Sequence, residues 1–167
     1  GPAINTQAME RSPFLHPDMK TLYFSSAKEG GYGEFDVYVT RRLSDTCWTC
    51  WSEPENLGPT INTPFCDRSP VLHPDMKTLY FCSEGHGTLG DMDVFKSTRI
   101  YEDSWTDWTT PVNIGKEINS VDLDCWYRIS TDGKKAYFSK TTDFDSKLFT
   151  TTIPTNMQPE PVVTIAG

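Results

Sequence analysis

Short aromatic and aliphatic runs alternate along the chain with groups of turn-forming residues. Two such runs, at 12–15 and 21–25, flank a segment that contains Pro17 and Asp18. Runs of this length between turn residues are typical of β-strands. Proline favours the first corner of a tight turn, and an aspartate after it can accept nearby backbone amides, so the two strands are predicted to form a hairpin.

Two further strands are predicted after this hairpin. A glycine-bearing loop at 30–33 leads into an apolar run at 36–40, and a fourth strand is predicted around 48–51. No window longer than about ten residues carries apolar positions at the spacing of an amphipathic helix, and proline or glycine interrupts most candidates. The pattern therefore predicts an all-β chain built from short strands.

The whole pattern is repeated at a fixed spacing. Gly1, Gly58 and Gly115 open three copies, and the run LHPDMKTLYF at 15–24 returns unchanged at 72–81. The third copy keeps only part of the pattern and is shortened in its loop. Four short strands in each of several near-identical copies are typical of β-propeller blades, which need the same inner residues each time they stack.

These repeats predict the domain organisation. We expect an all-β fold of three four-stranded antiparallel propeller blades, at 1–57, 58–114 and 115–153, with the third shortened and terminal. The segment 154–167 is expected to be a linker that leaves the propeller. A ring needs about four to eight blades, so the remaining blades are expected from the same polypeptide or from a second copy.

The charge balance narrows the choice of partners. Lysine and arginine number 15 against 23 acidic residues, which gives a net charge of −8 and disfavours binding to a phosphate backbone. No stretch approaches the roughly 18 to 20 apolar residues that cross a bilayer. We therefore expect no nucleic-acid partner and no direct membrane span.

No set of catalytic or cofactor-binding residues is recognised. His16 and His73 occupy the same turn position in different copies, and no unique nucleophile, base and orienting acid stand out from the repeat. The dinucleotide-like glycine pattern at 85–90 is followed by a strand rather than by a helix, so it is interpreted as a loop. The sequence thus predicts no enzyme activity, no cofactor and no metal site.

The five cysteines leave three interpretations open. Cys47 and Cys50 form a C-x-x-C pair, which invites a zinc site, but no second paired motif exists among Cys66, Cys82 and Cys125. Disulfide bonds or free thiols are therefore favoured over zinc. The odd number leaves at least one thiol unpaired within the chain.

Two sets of repeated residues are candidates for partner binding. An acidic residue precedes each innermost strand; these residues are Glu10, Asp67 and Asp124. They could bind a cation or a basic segment of a partner, or their carboxylates could accept backbone amides and so fix nearby loops. Paired tryptophans follow the third strand in the first two copies, and they suit outer-strand packing first and a contact surface second; these are Trp48, Trp51, Trp105 and Trp108.

The run at 12–26, with the glycine loop and the strand behind it, resembles the WD40-like repeat of TolB-type propellers. It is most similar to the version in exported envelope proteins of Bacteroidetes, in which a propeller precedes an OmpA-like peptidoglycan-binding domain. Some members of that group belong to the type IX secretion machinery. The resemblance implies a periplasmic module, associated with the outer membrane or cell wall, whose partners are other envelope proteins.

The expected function is therefore a non-catalytic protein-interaction or spacer module. Two alternatives remain: a propeller accessory to a hydrolase or peptidase, and a glycan-binding propeller that uses the tryptophans and the acidic rim.

Overall fold

The computed structural model describes residues 1–142 and 145–162, and it consists of three antiparallel β-sheets that follow one another along the chain. Sheet 1 contains β1 (Glu10–Leu15), β2 (Thr21–Ser26), β3 (Asp36–Arg41) and β4 (Glu55–Asn56). Sheet 2 contains β5 (Asp67–Leu72), β6 (Thr78–Ser83), β7 (Asp93–Thr98) and β8 (Val112–Asn113). Sheet 3 contains β9 (Leu123–Ile129), β10 (Lys135–Thr142) and β11 (Asp145–Thr152).

The all-β prediction is confirmed within the described residues. Helical structure there is limited to one 3₁₀ turn, Thr155–Met157, in the predicted linker. That turn is far too short to cross a bilayer, and no other described segment is a helix long and apolar enough to do so. Residues 163–167 of the linker lie outside the described part of the chain.

The fourth strand differs from the prediction. In sheets 1 and 2 it comes after the tryptophan pair and has only two residues, whereas Trp51 and Trp108 form single bridges with Arg42 and Arg99. Among its described residues, sheet 3 has three strands instead of four. Strands β10 and β11 pair along their whole length, from Lys135 opposite Thr152 to Thr142 opposite Asp145. They form one long hairpin because the third copy is shortened at this loop.

The predicted hairpin turn forms in all three copies. In the first, the Asp18 carboxylate accepts the backbone N–H groups of Lys20 (2.8 Å) and Thr21 (2.9 Å). Met19 then takes a positive φ of 59°, and Gly133 takes 69° at the same position of the third copy. Aspartate therefore stabilises the turn as the sequence indicated, while Met19 accepts a backbone conformation that glycine adopts without strain.

Side chains of β6, the middle strand of sheet 2 in sequence, are divided between two cores. In β6, Leu79 and Phe81 belong to the apolar cluster between sheets 1 and 2, whereas Tyr80 and Cys82 belong to the cluster between sheets 2 and 3. Successive residues of a strand point to opposite faces, so sheet 2 is apolar on both sides. The sheets therefore stack face to face in sequence order.

A buried asparagine joins each pair of neighbouring sheets. Asn62, which precedes β5, accepts the backbone N–H of Val37 in sheet 1 (2.8 Å) and donates to the Val37 carbonyl (3.1 Å) and to Asn56 Oδ1 (2.8 Å). Asn119 binds Val94 of sheet 2 in the same way. Each asparagine thus satisfies backbone groups of the preceding sheet, which would be costly to bury unpaired.

The cysteines form two disulfide bonds. Cys82 of β6 is bonded to Cys125 of β9, which links sheets 2 and 3, and Cys47 is bonded to Cys50 in the exposed loop after β3. Cys66 is a buried free thiol, and burial raises its pKa to about 11. The chain therefore contains both disulfide bonds and a free thiol, which are two of the three interpretations of its cysteines. The described residues contain no cluster of ligands suited to a metal ion.

The asparagine contacts give a test of how the sheets are joined. Replacing Asn62 by alanine leaves two groups of Val37 and one of Asn56 short of a partner, so we expect a loss of about 3 kcal/mol in the free energy of unfolding. Urea denaturation followed by tryptophan fluorescence measures this loss.

Asn5 is the matched control, because it occupies the same repeat position but is exposed and makes no side-chain hydrogen bond in the described structure. In dilute, monomeric protein the Asn5→Ala change should cost less than about 0.5 kcal/mol. Equal losses at the two positions would contradict the proposed role of Asn62.

Candidate functional site

The first strands of the three sheets line one common surface. Ser12 Oγ of β1 lies 3.2 Å from Ser69 Oγ of β5. The guanidinium of Arg128 in β9 lies 5.9 Å from the centre of the Phe14 ring in β1, although sheets 1 and 3 are separated by sheet 2 in the stack. The three first strands therefore converge, and side chains from all three sheets meet there.

A β-bulge occurs at the same point of each first strand. Its residues are Ser12, Ser69 and Trp126, whose φ angles are 50°, 55° and 49°. A positive φ is rare for a residue with a bulky side chain and costs about 1–3 kcal/mol. Bulges redirect a side chain and are frequent beside functional sites. In sheet 3 the bulge presents a tryptophan that is 47% exposed, where the other two sheets present serine.

Arginines lie next to the bulges. The guanidinium carbon of Arg68 is 5.7 Å from the centre of the Trp126 ring, and Arg68 Nε donates to Met92 Sδ at 3.1 Å. Arg11 occupies the same repeat position and lies 5.0 Å from the ring of Phe35, the counterpart of Met92. We call the group formed by these residues the inner-strand surface; it comprises Arg11, Ser12, Arg68, Ser69, Trp126 and Arg128.

This surface offers an aromatic face together with several hydrogen-bond donors. Such a combination binds ligands that carry both apolar patches and polar groups. None of its residues was among the candidates from the sequence. One signal was present, however: Trp126 is a large aromatic residue at a position that both other copies fill with serine.

The tryptophan candidates follow the packing interpretation in part. Trp105 and Trp108 are almost fully buried in the core between sheets 1 and 2. The Trp105 ring has the guanidinium of Arg99 at 4.2 Å and that of Arg41, from sheet 1, at 4.3 Å. The hypothesis that Trp105 and Trp108 form a contact surface is therefore wrong, since no partner can reach their side chains.

The other tryptophan pair is less covered. Trp48 is 56% exposed and stacks on Arg42 at 4.2 Å, whereas Trp51 is half-buried and donates its ring N–H to the Trp48 carbonyl at 3.0 Å. Only Trp48 of the four predicted tryptophans thus presents a large open ring.

The repeated acidic residues stabilise the loops before the first strands. Asp67 Oδ2 accepts the backbone N–H of Thr63 at 2.5 Å, and Asp124 Oδ2 accepts that of Ser120 at 2.5 Å. Glu10 makes the same contact with Thr6 at 3.3 Å. Asp67 and Asp124 are fully buried, so the prediction that their carboxylates contact a partner segment is wrong. These two residues fix loops instead.

Asp67 has an unusual proton affinity. Burial raises its pKa to about 6, against the opposing effect of hydrogen bonds from Ser83 and Thr63. Its Oδ1 atom has no hydrogen-bond partner in the described structure. Desolvation penalises the charged form of a carboxyl group, so the folded chain holds a proton here more tightly than the unfolded chain does.

This shift predicts how stability depends on pH. A folded pKa above the unfolded value near 3.8 stabilises the fold fully below pH 4, and the contribution is lost as pH rises through about 6. We expect the unfolding free energy of the wild type, minus that of an Asp67→Asn variant that cannot titrate, to fall by about 2–3 kcal/mol between pH 3.5 and pH 7. Urea denaturation at a series of pH values measures this difference, and a difference independent of pH would show that the carboxyl is not buried as described.

Comparisons with known proteins relate the fold to glycosidases. An α-L-arabinofuranosidase from Lactobacillus brevis matches with a TM-score of 0.53 and 17% identity, over 88% of this chain and 52% of the neighbour. The catalytic domain of the GH62 α-L-arabinofuranosidase of Coprinopsis cinerea matches with a TM-score of 0.57 and 13% identity, over 98% of this chain and 55% of the neighbour. No family model and no curated protein sequence matches. The likeness concerns the fold, and this chain spans about half the length of each neighbour.

These neighbours contradict two expectations from the sequence. The chain was expected to be a non-catalytic interaction or spacer module and not an enzyme, yet both neighbours are arabinofuranosidases and one match is a catalytic domain. The physical reason lies in the chemistry that was sought. A missing nucleophile–base pair argues against acyl transfer, whereas glycoside hydrolysis requires only a pair of carboxyl groups, which gives no distinctive sequence motif.

Proposed function

We propose that the three sheets are blades of a β-propeller and that the chain binds glycans through the inner-strand surface. The observation that carries this proposal is Trp126, a half-exposed aromatic side chain held at a strained bulge where the first strands converge. The fold likeness to two arabinofuranosidases supports a carbohydrate ligand.

The chemistry of the surface suits a sugar ring. A pyranose or furanose has one face of C–H groups that packs against an aromatic ring, while its hydroxyl groups need hydrogen-bond partners at the edge. Trp126 supplies the aromatic face. Arg68 supplies a guanidinium group beside it and Ser12 a hydroxyl group elsewhere on the same surface, and both residues are only partly buried. A rigid bulge also reduces the entropy lost when the ligand binds.

The end sheets carry exposed apolar side chains that further blades would cover, although Phe24 and Tyr38 on the outer side of sheet 1 are buried. Leu148 of β11 has the sheet position of Val37 and Val94, since each pairs with the equivalent residue of its middle strand. Those valines are fully buried by the next sheet, whereas Leu148 is 88% exposed. At the other end, Trp48 lacks the second guanidinium that Arg41 gives to Trp105. We propose that sheets of the same repeat type occupy both faces.

The open faces predict self-association, because a second copy offers sheets of the same type. We expect light scattering after size exclusion to show a mass above 18.9 kDa that rises with concentration. Leu148→Lys should weaken association by placing a charge on the face, and Asn5→Ala should weaken it by removing a sheet-joining amide. Leu43→Lys, on a leucine that is exposed outside these faces, is the control. A monomer at every concentration, or equal effects of Leu43→Lys and Leu148→Lys, would contradict the proposal.

Two disulfide bonds support an oxidising location for the chain. We propose that it acts outside the cytoplasm, where extracellular or cell-wall glycans are accessible.

Glycan binding can be tested by removing the aromatic face. Trp126→Ser places there the residue that the other two repeats carry at the same positive φ, so the variant should fold. We expect it to bind arabinoxylan and arabinan at least about tenfold more weakly than the wild type in isothermal titration calorimetry. Trp48→Ser removes an exposed tryptophan elsewhere and should leave the affinity unchanged. A Trp126→Ser variant that binds as the wild type does would refute the role of this surface.

A second candidate function is glycoside hydrolysis. The observation that favours it is the fold likeness to the catalytic domain of an α-L-arabinofuranosidase. The same titration mixtures can be assayed for released arabinose. Release by the wild type that Trp126→Ser does not show would establish hydrolysis, whereas binding without release would restrict the chain to recognition.

A further inference from the structure

The inner-strand surface carries three arginines in an acidic protein. The chain has a net charge of −8, yet Arg11, Arg68 and Arg128 all lie on this surface. Within residues 1–142 and 145–162, none of the three forms an ion pair, whereas the cations that do so lie elsewhere. Three unpaired guanidinium groups on converging strands create a local positive potential that attracts anions.

The arginines are held in place without using their charge. Arg68 Nε donates to Met92 Sδ, and Arg11 Nη2 donates to Met9 Sδ at 3.4 Å. Thioether sulfur is a weak acceptor, so these contacts orient the guanidinium groups but do not neutralise them. Glu84, Glu34 and Asp67 lie near Cys66 together with Arg68, and Asp91 lies near Glu84, so several acids partly offset the potential around Arg68. The guanidinium groups remain available to a ligand.

We infer that the preferred ligand is a carboxylated glycan, that is, a polymer containing uronic acid residues. This inference rests on the proposed glycan-binding function and specifies its substrate class. The ring of a uronic acid packs on Trp126, and its carboxylate accepts hydrogen bonds from Arg68, whose planar group matches a carboxylate with two parallel donors. Arg11, beside the Ser12–Ser69 hydroxyl pair, has the position to bind the next acidic residue of the polymer.

A carboxylated sugar fits the surface better than other anions do. Trp126 gives the ligand an apolar ring face to cover, which inorganic phosphate or sulfate lacks. A nucleic acid would bring an extended row of phosphates against a chain whose overall charge is −8, and that net charge opposes long polyanions outside the local surface.

The experiment compares two forms of one polymer. Polygalacturonic acid and its fully methyl-esterified form have the same sugar backbone and differ in charge. Calorimetry at low salt should show the wild type binding the acid form at least about tenfold more tightly, and about 0.5 M NaCl should remove most of this preference. Arg68→Gln should reduce the preference about tenfold, because it weakens binding of the acid form much more than binding of the esterified form. Trp126→Ser should weaken binding of both forms.

Controls separate the possible causes of a negative result. Lys147→Gln removes one positive charge from an exposed site away from the surface and should have no effect. Circular dichroism and melting temperature show whether each variant is folded, and Arg11→Gln tests the same point should Arg68→Gln fail to fold.

Each remaining outcome decides one of the two ideas. Equal affinity for the two polymers would overturn the acidic-sugar inference while preserving glycan binding, and binding of neither polymer nor of arabinan would overturn both. Equal affinity for a DNA oligonucleotide of similar charge would show a general polyanion surface, and that too would overturn the inference.

Discussion

The middle strand of sheet 2, β6, divides its side chains between two apolar cores, and the rest of the structure depends on this division. In β6, alternate residues face sheet 1 and sheet 3, so sheet 2 is stable only between two neighbours. Apolar burial contributes about 25 cal/mol for each Å² removed from water, which makes such a shared strand a large stabilising element. The stack of sheets, and the open faces at its ends, follow from the same alternation.

Polar contacts then fix how the sheets meet. Packing alone permits sheets to slide or rotate, because apolar contacts have little directionality. Asn62 and Asn119 remove that freedom by binding a single backbone position of the preceding sheet, and the Cys82–Cys125 bond adds a covalent link between sheets 2 and 3. Contacts made by residues outside the first strands therefore help to determine how those strands converge.

The inner-strand surface is a product of that convergence. Ser12, Ser69 and Trp126 are far apart in sequence but occupy equivalent bulges, so identical backbones present different side chains to one region. A repeat protein gains function in this way by changing a residue in one copy while the other copies preserve the scaffold. The strain of a positive φ at Trp126 is tolerated because the strand pairing on both sides of the bulge is regular.

The sequence by itself determined the repeat, the strands and the hairpin turns, because these depend on local backbone preferences and on alternation within a few residues. It also offered loop fixation as one of two interpretations of the acidic residues, and the structure shows that the carboxylates of Asp67 and Asp124 each accept an amide only four residues away. The tertiary structure alone decided which tryptophans are exposed. Trp105 and Trp48 have the same local sequence pattern, but a neighbouring sheet supplies Arg41 to the first, whereas among the described residues only Arg42 of its own sheet stacks on the second. It alone also brought Arg68 beside Trp126, because their proximity depends on how two sheets pack, and such long-range geometry leaves no mark in the order of the residues.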